Sequence, residues 1–164
     1  MAVARDTALT IGAIGARLTR VAASGPAAAR PGNAHENNRS LVAFLDLGGR
    51  DVCFAGDVEH DAEMELRTRP VSILKVPHHG SRTSSDSSWI AGLGPRVALI
   101  SCGEGNRFGH PDRATLGRYL RSGARVFRTD QEGAVRVTLT PAGALISTRA
   151  HPAPELVRWR DQSP

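Results

Sequence analysis

The placement of apolar positions divides the chain into short strands and a few helices. Thr7–Ile11 and Ala16–Val21 alternate apolar and polar residues, the period of a half-buried strand. Residues 22–37, rich in Ala, Gly, Pro and Asn, are expected to be flexible. Apolar runs at 41–47 and 52–55 flank Gly48-Gly49, which predicts a hairpin. Gly56-Asp57 ends the second of these strands. Residues 58–67 then read as a helix with Glu59, Asp61 and Glu63 in its first turns, where the helix dipole favours acids. The β-branched run at 71–76 predicts a strand that stops at Pro77. Asp86 is the expected N-cap of a helix carrying Trp89, Ile90 and Leu93. A strand at 97–101 leads into a loop at 102–110. Pro111 suits a first helical position, so His110 is expected at the cap of a helix carrying Leu116, Tyr119 and Leu120, with Gly123 at its end. Three more strands are expected at Arg125–Arg128, 134–139 and 144–148, separated by turns at Gln131-Glu132-Gly133 and Pro141-Ala142-Gly143. The tail from Ala150 is expected to be loose. Strands, then alternating strand and helix, then strands again predict an α/β layered domain.

Composition narrows the class. At 164 residues one domain with a real core is expected. No apolar run approaches the roughly 18–20 residues of a membrane span, and the first ten residues lack the apolar stretch of a secretory signal. The chain by itself is therefore expected in the cytoplasm. The formal charge is +5, and Lys75 is the single lysine among the basic residues. Arginine suits phosphate contacts, which admits a polyanionic substrate, but the arginines are scattered and form no basic block. Cys53 and Cys102 each lie in an apolar run without Cys-x-x-Cys spacing, which argues for buried core residues and against a zinc knuckle or a disulfide.

The candidate chemistry lies at strand ends. In Lys75-Val76-Pro77-His78-His79-Gly80-Ser81 two histidines follow a strand and precede a Gly-Ser turn, where α/β proteins present functional groups. Extended backbone would point His78 and His79 to opposite sides, leaving one as a ligand and the other as its support or a substrate contact. Asp57, beside Gly56, suits either a metal ligand or a helix cap; His110 suits either a ligand or a cap. His35, His60 and His151 lie in polar or loose contexts and receive no role. One Asp with two or three His is a donor set for zinc or manganese, ions that lower the pKa of bound water to about 7.

Four motifs occur in order: Asn37-Asn38-Arg39-Ser40-Leu41-Val42, Phe54-Ala55-Gly56-Asp57-Val58-Glu59, Leu74-Lys75-Val76-Pro77-His78-His79-Gly80-Ser81 and Asn106-Arg107-Phe108-Gly109-His110-Pro111. Arg128-Thr129 and Glu132-Gly133-Ala134-Val135 continue the series. Together, over about residues 7 to 140, they resemble the metallo-β-lactamase-like domain at the C-terminal end of the competence DNA-uptake protein family ComEC. The resemblance implies an αββα sandwich, of which residues 1–149 would be the C-terminal half and 150–164 a tail. It implies a zinc or manganese site with Asp57 as bridging ligand, one of His78 or His79 as a late ligand, and His110 in the same pocket. Asp57 and His79 would be catalytic, and Ser81 and Asn106 substrate contacts. The implied chemistry is attack of metal-bound hydroxide on a phosphodiester, a nuclease acting on the DNA strand not taken up.

One departure is large. The family's His-x-His-x-Asp-His motif has no counterpart here. The expectation is therefore a half-domain whose other half is encoded upstream, attached to a membrane protein or replaced by a second copy. The competing expectation is a non-catalytic remnant or interaction module.

Overall fold

The computed structural model describes residues 7–11, 16–21, 36–47 and 50–159. Seven strands form one sheet in sequence order: β1 Thr7–Ile11, β2 Ala16–Val21, β3 Val42–Asp46, β4 Val52–Phe54, β5 Ile73–Lys75, β6 Val97–Ile100 and β7 Arg125–Arg128. Neighbours from β1 to β4 run antiparallel. Neighbours from β4 to β7 run parallel. Parallel neighbours need crossovers, supplied here by α1 His60–Glu65, α2 Ser87–Leu93 and α3 Arg113–Arg121. A helical turn, α4 Thr129–Glu132, precedes a second, antiparallel sheet of β8 Val135–Leu139, β9 Gly143–Thr148 and β10 Glu155–Arg158, with β9 central.

The period-2 alternation of the strands sorts side chains into two cores. Val42 and Phe44 of β3, Cys53 of β4, Leu74 of β5, and Ala98 and Ile100 of β6 pack with Ala62, Leu66, Trp89, Ile90, Leu93 and Tyr119 from the helices. The alternate positions, Ile73, Val97 and Phe127, pack with Ala144, Ile146 and Val157 of the small sheet. The result is a helical layer, a mixed seven-stranded sheet and a three-stranded sheet. That is an α/β architecture, as expected. The small sheet's outer face carries exposed Arg136, Thr138, Leu156 and Arg158, and no described element covers it. Among the described residues no helix is long and apolar enough to cross a membrane.

Several expectations need correction. The tail from Ala150 is not loose through residue 159: Glu155–Arg158 pairs with β9, burying Val157, while Arg125 clasps Glu155 through bonds of 2.6 and 2.8 Å. His110 is not the cap of α3. That position belongs to Asp112, whose carboxylate accepts from the amides of Ala114 at 2.9 Å and Thr115 at 3.3 Å. α3 turns Thr115 and Tyr119 inward, packs a partly buried Leu116 against the same core and leaves Leu120 exposed. Cys53 is buried, and burial pushes its thiol up to about 12. Cys102 is only partly buried, and its Sγ meets Asp130 Oδ1 at 3.2 Å. Residues 22–35, Gly48-Gly49 and His35 lie outside the described residues.

Ile146 is 1% exposed and joins the two sheets. Ile146→Ala is expected to lower unfolding free energy by about 2–5 kcal/mol, whereas Leu120→Ala stays within about 0.5 kcal/mol. Urea unfolding monitored by circular dichroism checks both.

Candidate functional site

The carboxyl ends of β4 to β7 open on one edge of the sheet, the usual place for a site in an open parallel sheet. The segment after β4 holds Asp57. Gly56 adopts φ +57°, and a Cβ there would lie 2.8 Å from Ser40 Cβ. The Asp57 amide donates to Ser40 Oγ at 3.0 Å, and the Glu59 amide to Asn38 Oδ1 at 2.9 Å. Asn37 Nδ2 donates to Glu59 Oε1 at 3.1 Å. The segment Asn37–Ser40 thus clamps the stretch that carries Asp57. Sequence reading found that motif without its task. The cap of α1 is Glu59, not Asp57, so the Asp57 carboxylate is not spent on the helix.

After β5 the chain makes a turn that side chains rarely allow. His78 (φ 44°), His79 (φ 54°) and Gly80 (φ 82°) are consecutive left-handed residues. For a residue with a Cβ each such position costs roughly 1–2 kcal/mol, and such strain is concentrated at functional sites. Four contacts hold the turn. The His78 amide donates to Gly56 O at 3.0 Å, the Ser81 amide to His78 O at 2.8 Å and the Asp112 amide to Gly80 O at 2.9 Å. His79 Nδ1 bonds to Ser101 O at 2.6 Å.

The last contact fixes the chemistry of His79. A carbonyl can only accept, so Nδ1 carries the proton and Nε2 is left with its lone pair in the neutral ring. Nε2 lies 3.8 Å from Asp57 Oδ1. Both side chains remain open to solvent, His79 at 48% and Asp57 at 44% exposure. The extended-backbone expectation for the two histidines is corrected by the left-handed turn, which aims them at different acids. His78 Nδ1 lies 3.1 Å from Glu59 Oε1, without hydrogen-bond alignment. His78 also meets His110 edge-to-face, with ring centroids 5.7 Å apart. Burial, and then the neighbouring His78 and His79, hold the His110 ring below the ordinary histidine pKa.

Ser81 and Asn106, expected at the substrate, are occupied in building loops. The Ser81 hydroxyl pairs with Thr83 Oγ1 at 3.0 Å. Asn106 Nδ2 donates to Gly103 O at 2.9 Å and His110 O at 2.7 Å, and its Oδ1 accepts from the His110 amide at 2.9 Å. Sequence reading gave no site role to Lys75. Its ammonium donates to Val76 O at 2.8 Å, burial lowers its pKa, and Asp57 and Cys102 partly oppose that shift. A single lysine in an arginine-rich chain was the signal available.

His79 Nε2 and the Asp57 carboxylate are donors of the kind zinc and manganese take, and an Nδ1–H bond to a carbonyl is the usual support of a ligating histidine. Among the described residues, however, no three His, Cys, Asp or Glu side chains converge to hold an ion. His78 is turned to Glu59 and His110 packs in a ring stack. The pair fits part of a metal site and not a whole one.

Comparison with known proteins adds the wider setting. The chain is 38% identical over 110 residues to ComE operon protein 3 of Bacillus subtilis, covering 65% of this chain and 14% of that protein. It is 34% identical over 104 residues to Recombination protein 2 of Haemophilus influenzae, covering 62% and 13%. With competence protein ComA of Neisseria gonorrhoeae it shares 30% over 116 residues, covering 68% and 17%. These likenesses support a relationship to the ComEC family. The matched stretches amount to no more than 17% of the length of these relatives. No family model matches the chain.

Two outcomes follow from the geometry. Gly80→Ala places a Cβ 2.7 Å from Pro111 Cβ at φ +82°, and is expected to cost about 1–3 kcal/mol in chemical denaturation. The depressed His110 pKa gives a pH sign. The unfolded ring takes up a proton near pH 6.5 and the folded ring only at lower pH, so the fold binds fewer protons between those values. Stability is therefore unaffected by this group above pH 6.5 and falls as pH drops below it; His110→Phe should flatten that part of a melting-temperature profile.

Proposed function

We propose that this chain serves in DNA uptake, as part of a ComEC-type protein, and forms one side of a divalent-metal-dependent phosphodiester hydrolase of the metallo-β-lactamase type. The observation that carries the reading is His79, held in a left-handed turn with Nδ1 bonded to Ser101 O and Nε2 facing Asp57 Oδ1 at 3.8 Å. The competence and recombination names of the relatives support the DNA setting.

A divalent ion bound at this edge would supply Lewis acidity to a phosphoryl oxygen. The chain's own contribution is placement. The Ser101 carbonyl holds the Nδ1–H tautomer of the neutral His79 ring, so that Nε2 is the nitrogen whose lone pair faces Asp57. The Asn37–Ser40 clamp sets the Asp57 backbone. Lys75, half-buried and electrostatically coupled to Asp57, sets the local charge balance. The remaining donors would come from outside the described residues, on another segment or a second copy of this chain. The absence of a three-ligand group among the described residues favours a second reading, a non-catalytic interaction module.

Titration of Mn²⁺ into the purified chain, followed by electron paramagnetic resonance and calorimetry, separates the two. Weak one-to-one binding is expected, reduced about tenfold or more in Asp57→Ala and in His79→Ala. Manganese-stimulated cleavage of single-stranded DNA that vanishes in the double variant would mean that copies of this chain complete the site together. Equal affinity in all three proteins would exclude the pair as ligands and leave the interaction module.

A further inference from the structure

We propose that the loop at 102–110 carries a stacking platform for an unpaired nucleobase, made by Phe108 and the Arg107 guanidinium over its ring. The inference deepens the reading above and takes its substrate class from it.

Phe108 is 67% exposed and Phe54 47%, whereas Phe44, Phe127, Trp89 and Tyr119 are buried. Leaving a phenyl ring in water forgoes roughly 1.5–3 kcal/mol of burial, so its exposure calls for a reason. The loop is built to keep it there. Asn106 ties the loop's two ends together through Gly103 O, His110 O and the His110 amide. Gly109, at φ +68°, donates its amide to Asn106 O at 3.1 Å. The Phe108 ring stacks on His110, with centroids 5.8 Å apart and planes 18° from parallel. His110 in turn packs edge-to-face on His78. A continuous series of rings therefore runs from solvent to the turn that carries His79.

The Arg107 guanidinium lies over the Phe108 ring, 4.8 Å from its centroid. An exposed aromatic ring with an arginine over it is a surface on which proteins hold single strands: a base stacks on the guanidinium and ring together, and the cation adds attraction for the strand. A duplex hides its base faces, so this device selects an unpaired strand. The formal charge of +5 adds attraction for a polyanion.

Fluorescence anisotropy with a labelled oligothymidylate in EDTA tests the platform without cleavage, beside an abasic oligonucleotide of equal length. Phe108→Ala is expected to weaken oligothymidylate binding by about 5- to 150-fold and to leave abasic affinity unchanged, while Phe108→Trp retains binding. An unchanged melting temperature in Phe108→Ala confirms that folding is intact. Equal oligothymidylate affinity of wild type and Phe108→Ala would overturn the platform, and the manganese response of the Asp57 and His79 variants would stand independently. Manganese binding at Asp57 and His79 without any DNA binding would also overturn it and direct the site to another phosphodiester.

Discussion

The left-handed turn His78-His79-Gly80 is the constraint around which the sheet edge is organised. It is unfavourable backbone for two residues with side chains, so the surroundings must over-determine it. They do so from three directions: Gly56 O at the end of β4, Ser101 O at the end of β6 and the Asp112 amide at the start of α3. Each comes from a different part of the chain, so the turn forms only when the parallel strands are in register. Gly80 is required because Pro111 occupies the space a Cβ would need.

A buried polar network extends this support. Glu63, 1% exposed on α1, accepts amides from Ser85 at 2.5 Å and Asp86 at 2.7 Å. Burial raises its pKa, and the two amides partly oppose that shift. Arg118 on α3 donates to Ser85 O at 2.7 Å and Ser84 O at 2.9 Å, and Tyr119 OH reaches Ser85 Oγ at 2.9 Å. The loop after the histidines is thereby fastened to two helices. Paired groups of this kind rigidify a site, because leaving any of them unpaired inside the protein is costly. Behind the turn lies the helix-facing core, and behind β5 to β7 the small sheet with β10 as its edge. The rigidity places two open, solvent-reachable groups, Asp57 and His79, within 3.8 Å of each other. Among the described residues no group of three His, Cys, Asp or Glu side chains forms around that pair.

How much was legible in the sequence follows from the range of each interaction. The order of elements follows from local pattern, and all ten strands except β10 were expected close to where they lie. Asp86 was readable as a cap because a cap acts within three residues, and its carboxylate accepts from the Ser88 amide at 2.8 Å. His110 was misread as a cap because Pro111 is a good first helical residue; Asp112, two positions after His110, is the better acceptor and moves the helix start. The tail was misread because β10 shows little alternation of its own and is stabilised by pairing with β9. Motif content marked Asp57, His78, His79 and His110 as a group of interest, and the four motifs pointed to the competence proteins before any coordinates.

The sequence by itself determined the α/β class, the strand ends that carry Asp57 and the two histidines, and the family likeness, since these rest on periodicity and short motifs. Only the tertiary structure decided which groups face each other. It sent His79 to Asp57 and His78 to Glu59, gave Asn37–Ser40 the task of holding the Asp57 segment, and enclosed Ser81 and Asn106 in loops. Ser81 and Asn106 are held by neighbours 2 to 4 positions away, but the others depend on residues 17 to 22 positions apart meeting across neighbouring elements. No local pattern encodes such meetings; sheet register and backbone geometry do.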